Sequence, residues 1–71
     1  MEWGWKLKVF DGPGGKDAVV EEVQQVVAKW PGVSVEDQFF GFPCVFIPQA
    51  LGWEQCKAIK QALIDAGYQP Y

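Results

Sequence analysis

The 71-residue chain carries nine acidic residues, six lysines and a net charge of −3, with no histidine or arginine, and no asparagine or threonine. That composition withholds the side chains that most often carry acid/base catalysis, metal ligation and bidentate phosphate recognition. The absence of a basic patch argues against nucleic-acid binding. There is room for one domain, residues 1–71, and a chain this short buries only roughly 60% of its unfolded surface. Four tryptophans, five phenylalanines and two tyrosines are therefore more than the core can hide, and part of this surplus is expected at an interface. No run of 18 apolar residues suggests a membrane span, and the N-terminus lacks a secretory pattern, so a cytoplasmic protein is expected.

Residues Trp3 to Phe10 alternate, with Trp3, Trp5, Leu7 and Val9 on one side and Gly4, Lys6, Lys8 and Phe10 on the other. This is the pattern of a half-buried strand. Asp11-Gly12-Pro13-Gly14-Gly15 breaks it. Asp17 is the expected N-cap of a first helix, with Glu21 and Glu22 suited to the positive end of its dipole. Val19, Val20, Val23, Val26, Val27 and Trp30 recur at three- and four-residue spacing, which predicts an amphipathic helix of about thirteen residues. Its valines are poor helix formers, so packing must hold it. Pro31-Gly32 ends it.

Two strands, Val33 to Phe40 and Phe42 to Ile47, are expected around a turn at Gly41. The second is apolar on both sides, as for a central strand, and Pro43 belongs at its start. After Pro48 a second helix is expected from about Gly52 to Ala66, with Cys56, Ile59, Leu63 and Ala66 inward and Lys57 and Lys60 outward. Gly67 suits the C′ position, with Tyr68 folding back as its apolar partner. The tail Gln69-Pro70-Tyr71 is too short for a full strand.

Cys44 and Cys56 have neither CxxC nor zinc-ribbon spacing. Buried thiols, a Cys44–Cys56 disulfide and a redox role for Cys44 remain open readings. Gly12-Pro13-Gly14-Gly15-Lys16 lacks the spacing of a phosphate-binding loop and reads as a turn.

Trp30-Pro31-Gly32-Val33-Ser34-Val35, Val45-Phe46-Ile47-Pro48 and Ala58 to Tyr68 resemble, in order and spacing, the heavy-metal-associated domain. The resemblance implies an α+β, ferredoxin-like βαββα(β) fold, its antiparallel sheet covered on one face by two helices. That family's metal loop needs two cysteines between the first strand and first helix. Phe10-Asp11-Gly12-Pro13-Gly14-Gly15-Lys16 supplies neither, so no metal residue carries over and no cofactor is expected. A second likeness, of Gly41-Phe42-Pro43-Cys44-Val45 to the proline segment of thioredoxin-like proteins, comes without the matching CxxC.

The functional expectation is a small, non-catalytic protein-binding module, an inhibitor or adaptor that self-associates as a homodimer. Phage-encoded inhibitors of host systems share its size and charge. The expected contact residues are Trp3, Trp5, Phe40, Phe42 and Tyr71, with Lys6 and Lys8 at the edge. A short tail would leave the first strand open to strand addition unless the termini cover it. A metal or small-ligand carrier of altered specificity and a thiol-redox accessory are the alternatives.

Overall fold

In the computed structural model, which describes residues 3–39 and 41–71, alternation becomes a three-stranded antiparallel sheet. Strand β1 is Gly4–Lys8, helix α1 is Val20–Val26, strands β2 and β3 are Ser34–Phe39 and Phe42–Pro48, and helix α2 is Gly52–Asp65. Spatial order is β1-β3-β2. Leu7 and Val35 both lie opposite Val45, and Trp5 lies opposite Ile47. These odd-numbered positions form one sheet face, which joins Val23 and Val27 of the first helical segment and Cys56, Ile59 and Leu63 of α2 in a single core. The sheet and both helices agree with the α+β expectation.

The first helix is shorter than its valine stripe predicts. Asp17 does not cap it; Asp17 bridges Asp11, and the Ala18 N–H donates to the Phe10 carbonyl at 2.9 Å. This small hairpin delays the helix to Val20, whose N-cap is the extended Val19 with no side-chain bond. At the other end the pattern relaxes into three-residue turns, Ala28 N–H to Gln25 and Trp30 N–H to Val27. Branched valines stiff at χ1 offer little to hold a further turn. The expected inward positions of α2 fare better: Cys56, Ile59 and Leu63 are buried, whereas Ala66 caps the helix and is exposed.

The end of α2 follows its sequence closely. The Gly67 N–H donates to the Ile64 carbonyl and the Tyr68 N–H to the Leu63 carbonyl, with Gly67 at φ +96°. Together these form a Schellman cap. Tyr68 is thereby turned into the core, and its hydroxyl donates to Glu22 Oε2 at 3.3 Å.

Pro43 is the second residue of β3 and lies opposite Asp37, beside the register shift between Asp37 and Phe39. Start and bulge thus coincide there. Its carbonyl accepts the Val9 N–H at 3.0 Å, but proline has no N–H to return. The ladder between β1 and β3 consequently stops at Lys8. Beyond it the C-terminal tail takes over on the outer side: Val9 bridges Pro70, the Tyr71 N–H donates to the Lys8 carbonyl at 2.7 Å, and the Gln69 N–H to the Asp11 carbonyl at 3.3 Å.

Candidate interaction surface

Alternation along β1 decides which backbone groups are available. Gln49 donates to the Trp3 carbonyl and Val9 to the Pro43 carbonyl, so the odd residues of β1 bond toward β3. The even residues point the other way, as the Lys8 carbonyl shows by accepting from Tyr71. The peptide groups of Gly4 and Lys6 are accordingly directed outward, past the point where the tail ends. Among the described residues no strand lies beyond them. The tail covers one end of the edge and leaves the other open, so both expectations about it hold in part.

The expected contact residues divide between the two faces of the sheet. Trp3 and Trp5 lie on the helix side, their ring centroids 5.8 Å apart, and Trp5 meets Trp53 of α2 at 5.9 Å. Trp3 and Trp53 remain 58% and 56% exposed. Phe42, Lys6 and Lys8 belong to the opposite, helix-free face. There Phe42 packs edge-on to Phe10 at 5.1 Å, Phe10 meets Tyr71 at 5.9 Å, and the Lys6 ammonium lies 5.2 Å from the Phe46 ring centroid. Phe40 lies outside the described residues. The protein therefore presents two aromatic groups on either side of β1, not one continuous surface.

Trp53, Phe10 and Phe46 belong to these groups and were not among the expected contacts. A signal for two of them was present in the sequence: Phe10 shares parity with Lys6 and Lys8, and Phe46 with Phe42. Trp53 sits at the start of α2, and its approach to Trp5 depends on the crossover that seats α2 beside β1.

Gly4 contributes by what it lacks. A Cβ there would collide with the Ile47 carbonyl oxygen, so β1 can lie against β3 at this point only with glycine. The bare position, opposite Pro48, lines an open groove of about 1050 Å³ bordered also by Lys6, Ser34, Phe46 and Pro48.

Both cysteines are free and buried. Cys44, opposite Lys8 and Glu36, belongs to the helix-free face, whereas Cys56 joins the core on the other. The sheet lies between them, which rules out the disulfide in this fold. Burial pushes the Cys44 thiol up, against the smaller opposing pull of Lys6 and Lys8, and pushes Cys56 up against Lys60. An elevated, enclosed thiol is a poor nucleophile. Among the described residues no group of three or more Cys, Asp or Glu side chains is placed to hold a metal ion. None of their helices is long and apolar enough to cross a membrane. Searches of protein-family models, of curated proteins and of solved structures find no match to this chain.

Proposed function

We propose that the chain is a small, non-catalytic protein-binding module of ferredoxin-like βαββα(β) type, a cytoplasmic inhibitor or adaptor that also self-associates. The carrying observation is that two aromatic groups, Trp3–Trp5–Trp53 and Phe10–Phe42–Tyr71, in which Trp3, Trp53 and Tyr71 are exposed and the other rings half-buried, flank a strand whose outer edge is only partly covered. Large rings left in water beside unpaired backbone are costly in a free monomer and useful in an interface, where aromatics supply area at small entropic cost. Strand order supports the ferredoxin-like assignment, since the tail pairs on the outer side of β1, where that fold carries its fourth strand.

Comparative capture tests the reading. The wild type, Trp53→Ser and Phe42→Ser are immobilised separately and exposed to the same cell extract, after circular dichroism has established that each is folded. A protein retained by the wild type and lost with either folded variant is the expected result. Identical retention by all three would remove the aromatic groups from the binding surface.

A further inference from the structure

We propose that the open end of β1 pairs antiparallel with β1 of a second copy about a two-fold axis at Trp5, making a continuous sheet across the dimer. This deepens the self-association part of the reading above and rests on it.

The tail limits where a second strand can lie. Tyr71 already occupies the Lys8 carbonyl, so among the described residues the outward peptide groups left without a strand beside them are those of Gly4 and Lys6. An axis at Lys6 would need the occupied Lys8 site and would set Lys6 against its own copy, an unfavourable like-charge pair. An axis at Gly4 would place two bare positions side by side and leave the groove beside each unfilled. An axis at Trp5 avoids both faults. Gly4 and Lys6 of the partner then exchange both N–H···O bonds, and symmetry repeats the exchange on the other side. The aliphatic stem of each Lys6 gives up its contact with the Phe46 ring of its own chain and passes over the partner's bare Gly4 into the corresponding groove bordered by Phe46 and Pro48. Its ammonium remains at the groove mouth in water.

The same axis brings the exposed indoles together. Trp5 meets its own copy as a non-hydrogen-bonded pair, the closer of the two antiparallel arrangements. Trp3 and Trp53, 58% and 56% exposed, flank it on the helix side. Between them they offer on the order of 250 Å² per copy. Covering them in both copies supplies about half of the roughly 1,000 Å² that a specific interface requires, and the paired strands and lysine stems supply the remainder. A foreign strand would gain the same backbone bonds, but only a second copy brings a lysine stem opposite each glycine and a matching set of indoles.

The test combines light scattering on a size-exclusion column, over a concentration series, with two kinds of substitution. Lys6→Pro removes an N–H that points away from β3 and thus spares the ladder within the monomer, as edge prolines do. The wild type is expected to be a dimer, Lys6→Pro to be monomeric over the same range, and Lys6→Gln to stay dimeric. Trp5→Cys gives an independent reading: Cα atoms of a non-hydrogen-bonded pair are about 4.5 Å apart, within disulfide range. Mild oxidation should link Trp5→Cys chains to one another, because the native thiols are buried. A wild-type monomer throughout overturns self-association. A dimer that survives Lys6→Pro and does not cross-link through Trp5→Cys overturns the β1 pairing and leaves the binding-module reading to the capture experiment. Cross-linking only in a mixture of Trp3→Cys and Trp5→Cys chains overturns the register.

Discussion

Gly67 controls how much of β1 is covered, so its replacement connects backbone geometry to the proposed interface. At φ +96°, a Cβ costs about 1–2 kcal/mol through its clash with the following carbonyl. It would also stand 3.1 Å from Pro13 Cβ and Cγ and 3.2 Å from Pro13 Cα, inside the roughly 3.5–4.0 Å optimum for carbon pairs. The Pro13 ring is stiff and cannot swing aside as a lysine would. The stiffer unfolded chain offsets this by about 0.4–1 kcal/mol. Gly67→Ala should therefore destabilise by about 1–2 kcal/mol net, lowering Tm by roughly 4–16 °C for a domain of this size.

Gly14→Ala is the matched control. Gly14 also has positive φ, +74°, but a Cβ there meets nothing within 4 Å. The strain is shared and the Pro13 contact is not, so the difference between the variants isolates the contact. Thermal unfolding followed by tryptophan fluorescence measures both, and amide exchange at Gln69 and Tyr71 reports whether the tail leaves β1. Gly67→Ala should unfold at lower temperature than Gly14→Ala and exchange faster at the tail. Equal melting of the two variants would refute the Pro13 argument, and a wild-type Tm in both would refute the strain argument as well.

Ile59→Ala, at a fully buried position on α2, should cost about 2–5 kcal/mol. A chain this size has roughly 4–10 kcal/mol in total, so urea unfolding should show at least a severe loss and at most a chain that does not fold. Both thiols, 0% and 4% exposed, should react with iodoacetamide on the order of 10²-fold or more slowly in the native protein than in denaturant; fast labelling of Cys44 would revive the redox alternative. Stability should also decline at alkaline pH. Burial raises Cys44 and Cys56 above 9.0, and burial together with Glu22 raises Tyr68 above 10.0. The folded state thus holds these protons after the unfolded chain has released them. Their contribution is complete below about pH 9 and falls as pH rises through the elevated folded values. A Tm that stays level from neutral pH through this window would contradict the burial of all three groups.

What could be read from the sequence was decided locally, and what could not was decided by pairing. The C-terminus of α2 was legible because Gly67 and Tyr68 form a cap with residues of the preceding turn, within one stretch of chain. The start of α1 was not, because the hairpin between Asp11 and Asp17 joins backbone groups that no side-chain pattern announces. Parity along β1 correctly separated Trp3 and Trp5 from Lys6 and Lys8. Extending parity to Phe42 required the register between strands, and a bulge beside Pro43 lies in that register. Two prolines, one placed from the sequence at the start of its strand and one in the short tail, bear on the two sides of β1. Pro43 cannot return the bond that Val9 donates, which ends the ladder on the inner side of β1. Pro70, opposite Val9 in the tail, turns its missing donor away from the strand, where an edge residue needs none. On the outer side the Tyr71 N–H takes the Lys8 carbonyl, so among the described residues pairing capacity is left at Gly4 and Lys6, and the like-charge contact at a Lys6 axis and the bare pair at a Gly4 axis leave Trp5 as the centre of the proposed dimer.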